Sequence, residues 1–159
     1  MILEFIKMFI VDLLTNFTFM AVAISWFLAQ SIKVVIYWVK EGELNFYHFF
    51  EPGGMPSAHS AAVTSLTLGL GLTQGWSSPI FTTSLVFALI VMYDATGVRR
   101  AAGKQAEILN KVVDDIYSSD KTRVPKLKEI LGHDPIEVFG GATLAIIVTL
   151  ITYYGYIIR

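Results

Sequence analysis

The chain contains no cysteine among its 159 residues. That absence excludes a disulfide-bonded framework and a thiolate metal site. Charged side chains are also scarce, because Asp, Glu, Lys and Arg make up 16% of the residues, whereas about 25% is usual in a soluble domain. The length suits a single domain, which we expect to cover residues 1–159.

Hydrophobic residues make up 54% of the sequence and are concentrated in four runs. A helix that spans a membrane needs about 17–25 mostly apolar residues. The only charges within these runs are Lys33 and, at the last position of the third run, Asp94. All five prolines fall outside the interiors of the runs, as helix continuity requires. We therefore predict an all-α protein, a polytopic membrane helix bundle with four spans. The spans cover about residues 17–38, 57–75, 76–94 and 138–158.

The remaining segments are less apolar. Residues 1–15 carry three charges and are too short to span alone, so we expect a short N-terminal helix that lies at the interface or docks on the bundle. The polar loop 95–137 contains apolar residues at helical spacing within 101–118, which predicts an amphipathic helix. His48, in the aromatic stretch NFYHFF, is interpreted as an aromatic-belt residue at the membrane surface.

The distribution of positive charge predicts the topology. If four spans cross the membrane, residues 40–56 and 95–137 lie on the same side, which carries or faces ten of the twelve Lys and Arg residues. Lys33, Lys40, Arg99 and Arg100 could serve chemistry instead of topology. When they are left out, six of the remaining Lys and Arg residues still belong to this side and two to the other. The positive-inside rule then makes this side cytoplasmic. We expect a multi-pass protein of the inner (plasma) membrane.

Polar residues gather where the predicted spans reach that side. Ser57 and His59 stand at the start of the second span, and Asp134-Pro135 predicts the start of the fourth, with His133 just before it. The N-terminus of a helix presents N–H groups without partners and the positive end of a dipole. Two such ends beside several Lys and Arg side chains indicate a site for phosphate.

Three short patterns carry a resemblance to a known family. They are Lys33 and Lys40 with six residues between them, then Pro56-Ser57-Ala58-His59, then His133 and Glu137 with three between them. Together they resemble, in degenerate form, the type 2 phosphatidic acid phosphatase and vanadium haloperoxidase pattern K-x6-R-P, P-S-G-H and S-R-x5-H-x3-D. The stretches GGMPSAHSA, YDATGVRRAAGKQAEILN and LGHDPIEVFGG look closer still to a divergent bacterial and plant branch of that superfamily. The resemblance runs from about residue 16 to the C-terminus.

The resemblance implies a membrane phosphatase that acts through a phosphohistidine. His133 would attack phosphorus, Glu137 would orient its imidazole, and His59 would protonate the leaving oxygen. The implied substrate is a phosphorylated lipid or isoprenoid, and neither a metal nor a cofactor is implied. The residues that would hold the phosphoryl oxygens are Lys33, Lys40, Ser57 and Ala58.

The sequence also departs from the family pattern. Lys40 replaces an Arg and lacks its bidentate fork, Ala58 replaces a Gly, and Glu137 replaces an Asp. Leu127 stands where the pattern places an Arg six residues before the histidine. We hypothesise that Arg99 or Arg100 supplies the missing cation, with Asp94 as its partner.

Each of these residues also has a simpler interpretation. Glu137 can complete a capping box and Ser57 can cap a helix without any chemistry. Lys33 can extend its ammonium to the lipid headgroups, and Arg99 and Arg100 can act as topology anchors. These simpler roles do not explain why His59 and His133 both stand at helix N-termini on the side that is rich in Lys and Arg.

Two functional alternatives therefore stand beside the phosphatase. One is a non-catalytic membrane protein that binds or transports phosphate or a phospholipid headgroup, and the other is a purely structural membrane protein. We expect the membrane and a phosphorylated lipid or isoprenoid as partners, no nucleic acid, and a possible homo-oligomer, since four or five helices form a thin bundle.

Overall fold

A computed structural model describes residues 1–51, 53–116, 126–127 and 132–158. Every element of regular structure in these residues is helical, and a short 3₁₀ turn, Phe46–Phe49, follows the second helix. The helices are α1 (Ile2–Thr15), α2 (Phe17–Glu41), α3 (Ala58–Gln74), α4 (Pro79–Thr96), α5 (Val98–Ile116) and α6 (Pro135–Ile157). The all-helical prediction is confirmed for this part of the chain.

The helix starts follow the local capping chemistry of the sequence. The side chain of Asn16 accepts a hydrogen bond from the backbone N–H of Phe19 at 2.9 Å and so caps α2. Ser57 and Ser78 cap α3 and α4 in the same way. At its other end α2 stops at Gly42, whose φ of 78° lies in the left-handed region that favours glycine.

Three segments of the described chain are long and apolar enough to cross a membrane: Phe17–Glu41, Pro79–Ile116 and Pro135–Ile157. The second comprises α4 and α5, which are separated by Gly97. The remaining predicted span corresponds to α3, which has 17 residues and so lies at the short end of the range for spanning helices. The four-span count stays a prediction.

The segment predicted as an amphipathic helix, 101–118, falls on α5, although its last two residues lie outside those that the structure describes. One side of α5 contains the buried residues Gly103, Ala106 and Asn110. Its exposed apolar residues include Ile108 and Ile116. That α5 rests on the membrane surface stays a prediction.

Helix α3 lies at the centre and packs against α2, α4 and α6. The hydroxyl group of Ser65 in α3 donates to the hydroxyl group of Ser25 in α2 at 2.6 Å and accepts from that of Thr149 in α6 at 3.1 Å. Near the start of α3, Ala58 and Ala61 contact Ala29 of α2. Since rising residue numbers in α3 meet falling numbers in α2, the two helices run antiparallel.

By the same reasoning α3 and α6 run parallel, because Ser57 meets the first turn of α6 and Ser65 meets Thr149. Their first turns approach closely. The backbone N–H of Ser57 donates to the carbonyl oxygen of Glu137 at 2.9 Å. A Cβ atom on Gly141 would collide with the carbonyl oxygen of Ser57. This approach brings the N-termini of α3 and α6 to one end of the bundle.

The interior is small and partly polar, whereas the outer surface is large and apolar. The fully buried side chains with the greatest volume are Thr149 and four serines. Large apolar side chains such as Phe87 and Ile90 of α4 point outward, and α1 buries no residue. Helices in a bilayer pack through small residues and interhelical hydrogen bonds, since lipid tails already solvate large apolar side chains. The distribution of side chains therefore fits a membrane bundle.

The close approach at Gly141 leads to a stability prediction. In Gly141→Ala, the added methyl group must push α6 away from the start of α3, and such overpacking costs about 1–3 kcal/mol. We expect the variant to melt at a lower temperature than the wild-type protein when thermal unfolding is followed in detergent. Gly155→Ala in the same helix is the matched control, because nothing lies within 4 Å of its Cβ position. Equal melting temperatures for the two variants would contradict the proposed packing.

Candidate active site

A cavity of about 270 Å³ lies at the end of the bundle where α3 and α6 begin and α4 ends. It receives residues from three separated parts of the sequence. Among them are both histidines that the sequence analysis proposed for catalysis, together with one candidate cation and its carboxylate. The lining residues are Gly53, His59, Ile90, Val91, Asp94, Ala95, Arg99 and His133.

His133 is held firmly in this cavity. Its side chain is 6% exposed, and its Nδ1 lies 2.8 Å from Oε2 of Glu137, four residues later in α6. The backbone N–H of His133 donates to the carbonyl oxygen of Ala95 at 3.0 Å. An ionised carboxylate can only accept hydrogen bonds, so the contact favours the tautomer with hydrogen on Nδ1. The Nε2 atom of His133 then carries the lone pair.

Glu137 also takes part in the start of α6. Its Oε2 accepts a hydrogen bond from the backbone N–H of Asp134 at 3.2 Å. This contact is half of the capping box that the sequence predicted as the simpler interpretation of Glu137. The same carboxylate oxygen therefore serves the helix start and His133 at once.

His59 faces His133 across the cavity. It is the second residue of α3, and its ring centroid lies 6.2 Å from that of His133 at an interplanar angle of 63°. The side chain is exposed to the cavity. At this separation the two imidazoles share the cavity and do not stack on each other.

Ser57 and Ala58 lie at the start of α3 and are both buried. The Ser57 hydroxyl oxygen accepts from the backbone N–H of Ser60 at 3.3 Å and from its hydroxyl group at 3.1 Å. The contacts of the Ser57 hydroxyl group are thus those of a helix cap, whereas its backbone N–H bonds to Glu137 of α6. Neither residue is among those that line the cavity.

The two adjacent arginines at the start of α5 have different partners. Nε of Arg99 lies 2.6 Å from Oδ2 of Asp94, and both residues line the cavity. Nη2 of Arg100 lies 2.9 Å from Oδ1 of Asp134, the N-cap residue of α6. Arg99 and Asp94 thus line the same cavity as the histidines, whereas Arg100 contacts the residue that begins α6.

Lys33 is 2% exposed, which is unusual for a lysine. Its Nζ donates to the carbonyl oxygen of Glu51 at 3.1 Å. It interacts electrostatically with Glu137 and with His59, although it is not among the residues that line the cavity. Lys33 is therefore buried inside the bundle and bonded to the loop that precedes α3, and it is not at an exposed helix end.

Lys40 lies elsewhere. It is exposed in the last turn of α2, seven residues beyond Lys33, which corresponds to about 10 Å along the helix axis. Leu127, at the position where the family pattern has an Arg, exchanges two backbone hydrogen bonds of 2.8 Å with the side-chain amide of Asn110. Neither Lys40 nor Leu127 lines the cavity.

The loop between α2 and α3 contains a cluster that the sequence analysis did not predict. His48 stacks on Tyr37 with a centroid distance of 4.0 Å, and its Nδ1 lies 2.9 Å from Oε2 of Glu51. Its Nε2 lies 3.3 Å from Oε2 of Glu41. Glu51 thus joins His48 through its carboxylate and Lys33 through its carbonyl oxygen. The only sequence signal for this cluster is the three-residue spacing of His48 and Glu51.

In the parts of the chain that the structure describes, no group of three or more His, Cys, Asp or Glu side chains is arranged to bind a metal ion. The titratable residues that line the cavity are Arg99, His59, His133 and Asp94, and the Asp94 carboxylate is paired with Arg99. An arginine beside two imidazoles suits an anion.

Comparison with known proteins places the chain among relatives. It matches the model of the divergent PAP2 family over residues 14–148. It is also similar to the uncharacterized membrane protein YuiD of Bacillus subtilis (strain 168), with 43% identity over 156 residues that cover 91% of this chain and 99% of the relative. No solved structure matches the chain. The family match includes every residue that lines the cavity.

The cluster around His48 leads to a prediction about pH. Hydrogen bonding to Glu51 is the main cause that raises the pKa of His48 above its ordinary value of 6.5. Protonated His48 therefore stabilises the folded state fully below pH 6.5, and this contribution is lost as the pH rises through the raised pKa. In His48→Phe, which keeps a ring against Tyr37, we expect this pH-dependent part to disappear.

The measurement is the melting temperature of both proteins in detergent between pH 5 and pH 8.5. The difference between wild type and His48→Phe should be largest at the acidic end and shrink towards the alkaline end. A difference that stays constant over this range would show that His48 contributes only through packing.

Proposed function

Because the chain belongs to the divergent PAP2 family, we propose that it is an integral membrane phosphatase. Its substrate is a lipid or isoprenoid phosphate monoester or diphosphate, which it hydrolyses through a phosphohistidine intermediate. The observation that carries the proposal is the pair of histidines on one cavity, of which His133 is held by Glu137 at 2.8 Å. That arrangement contains an oriented nucleophile and a second imidazole for proton transfer.

In the first step, the Nε2 lone pair of His133 attacks phosphorus and the bond from phosphorus to the leaving oxygen breaks. His59 gives its proton to that oxygen, so the product leaves as an alcohol or a lower phosphate. Glu137 stabilises the positive charge that develops on the imidazole of His133. In the second step, the oxygen of a water molecule attacks phosphorus while His59 takes a proton from that water. The bond from phosphorus to Nε2 of His133 breaks, which returns the lone pair to His133 and releases inorganic phosphate.

Positive charge around the cavity favours the transition state. Arg99 lines the cavity, and the buried Lys33 interacts electrostatically with residues of the site. The first turns of α3 and α6 contribute the positive ends of their helix dipoles. Fixed donors of this kind stabilise the charge that develops on the phosphoryl oxygens without reorganisation.

The wall formed by α4 supports a lipid substrate. Along this helix the lining changes from Asp94 to Val91 and Ile90, and Ile90 is 61% exposed on the outer face of the bundle. A phosphate group at the histidines can therefore be attached to an apolar chain that leaves along α4 into the bilayer. A water-soluble phosphate ester has no apolar chain that could pack against this wall.

The packing also supports four spans. Helix α2 ends near the cavity, whereas α4 begins at the opposite end of the bundle, so α3 must cover the distance between them. At 1.5 Å per residue, its 17 residues extend over about 25 Å. With four spans, the excess of Lys and Arg on this side supports the proposal that the cavity lies on the cytoplasmic face of the inner (plasma) membrane.

A second candidate function is a membrane protein that binds phosphate or a phospholipid headgroup without turnover. The observation that favours it is Leu127, which occupies the position of a family Arg and has its backbone bonded to Asn110. Phosphatase assays on a panel of lipid phosphates, together with binding assays on the same headgroups, separate the two functions.

The histidines lead to a prediction about activity. We expect His133→Ala to abolish hydrolysis of the lipid phosphates, because His133 is the proposed nucleophile and its imidazole is the one that Glu137 holds. His59→Ala should lower kcat by about 10²–10⁴-fold, the usual contribution of a general acid. Release of inorganic phosphate by purified protein in mixed micelles measures both.

Glu137→Gln is the matched variant that separates charge from capping. Glutamine can still accept the hydrogen bond from the Asp134 N–H, so the start of α6 should survive. The loss of negative charge should nevertheless reduce kcat while the melting temperature stays close to that of wild type. Full activity in Glu137→Gln, or in either histidine variant, would refute the proposed roles.

The proposed orientation is tested by cysteine labelling, since the native chain has no cysteine that would interfere. Glu43→Cys lies in the exposed loop at the cavity end, and Ser77→Cys lies in the exposed turn at the opposite end. In intact cells, an impermeant maleimide should label Ser77→Cys and should label Glu43→Cys only after permeabilisation. The reverse pattern would place the site outside the cytoplasm.

A further inference from the structure

The start of α5 carries two arginines next to each other in sequence, and their environments differ. Successive residues of a helix point about 100° apart, so Arg99 and Arg100 leave α5 in different directions. Arg99 lines the cavity with His59 and His133, whereas Arg100 does not. The two residues therefore have different roles.

Arg99 is held by a carboxylate that is itself part of the cavity wall. Its Nε lies 2.6 Å from Oδ2 of Asp94, which uses one of the five N–H donors of a guanidinium group. The terminal nitrogens of Arg99 retain the fork that binds two oxygens of a phosphate. Asp94 precedes Gly97, at which α4 gives way to α5, so the ion pair connects the end of one helix to the start of the next.

Arg100 instead connects α5 to the segment that carries His133. Its Nη2 lies 2.9 Å from Oδ1 of Asp134, the residue that follows His133. A Cβ atom on Gly132 would collide with the backbone nitrogen of Arg100, so the chain passes directly over the start of α5. The side chains of Arg100 and Asp134 are 44% and 59% exposed, and those of Arg99 and Asp94 are 59% and 38% exposed. The two pairs therefore differ in what they contact and not in exposure, since only Arg99 and Asp94 line the cavity.

We propose that Arg99 is the phosphate-binding cation of this site, that Asp94 orients it, and that Arg100 forms a structural ion pair with Asp134. Arg99 thereby supplies from α5 the positive charge that Leu127 cannot supply from its own position. The assignment rests on the proposed function for its role in turnover, but binding of a phosphate analogue tests it independently.

The experiment compares Arg99→Ala, Arg99→Lys and Arg100→Ala in the purified full-length protein. Hydrolysis of lipid phosphates and binding of orthovanadate, followed by calorimetry, are both measured. For Arg99→Ala we expect kcat/KM to fall by about 10²–10³-fold, as for the loss of one donor to a developing oxyanion, and vanadate binding to weaken. Arg99→Lys should recover part of both losses, because it keeps the charge without the fork.

Arg100→Ala should lower kcat/KM by less than about fivefold, because an exposed ion pair contributes little, and vanadate binding should remain. Combining it with Asp134→Asn should add no further loss, since both changes break the same bond. Lys104→Ala removes a positive charge from the same helix, and this control should leave both measurements unchanged.

The role of Asp94 is tested through Arg99. Asp94→Asn should weaken vanadate binding in the presence of Arg99 and have no further effect in the Arg99→Ala background. Additive losses in the double variant would show that Asp94 acts separately and would overturn its assignment as an orienting residue.

The remaining outcomes separate this inference from the proposed function. If wild type hydrolyses lipid phosphates and Arg99→Ala does so equally well, the inference is wrong and the proposed function stands. If wild type shows no turnover but binds vanadate through Arg99, the phosphatase is refuted and the phosphate-binding role of Arg99 is supported. If wild type neither hydrolyses nor binds, both are overturned.

Discussion

The candidate site depends on the close approach of the first turns of α3 and α6. The N–H of Ser57 bonds to the carbonyl oxygen of Glu137, and Gly141 leaves no side chain between the two helices. Because these helices run parallel, their N-termini lie together, and the histidine at each one faces the same space. A larger residue at Gly141 would separate the imidazoles as well as the helices. Packing and the geometry proposed for catalysis therefore share one constraint.

The same constraint explains why the interior is small and polar. Burial of large apolar side chains gives helices in a bilayer little reason to associate, so close packing and interhelical hydrogen bonds must hold them. The hydroxyl groups of Ser25, Ser65 and Thr149 form such a link halfway along the bundle. Towards the cavity, the interior becomes more polar still, with buried Lys33 and His133. The candidate site lies at one end of an already polar interior.

A simple structural role and a proposed chemical role are compatible at Glu137. Glu137 accepts hydrogen bonds from both the Asp134 N–H and His133, so the predicted helix cap also orients the imidazole. Lys33 was open to interpretation as a residue that reaches the lipid headgroups, but it is buried and bonded to Glu51. For Ser57, the contacts of the hydroxyl group with Ser60 are those of a helix cap. Only Glu137 thus joins both roles in contacts that the structure records.

Local sequence was sufficient for the helical class, for most helix starts and for the three motifs, because capping and apolar run length act over a few residues. It could not separate Arg99 from Arg100, since neighbours in sequence differ only in the direction that a folded helix gives them. It offered no signal that the Glu51 carbonyl accepts a hydrogen bond from Lys33, or that Lys40, about two turns beyond Lys33 in α2, does not line the cavity. Those contacts join residues that are distant along the chain, and only the packing of α2, α3, α4 and α6 brings them together or keeps them apart.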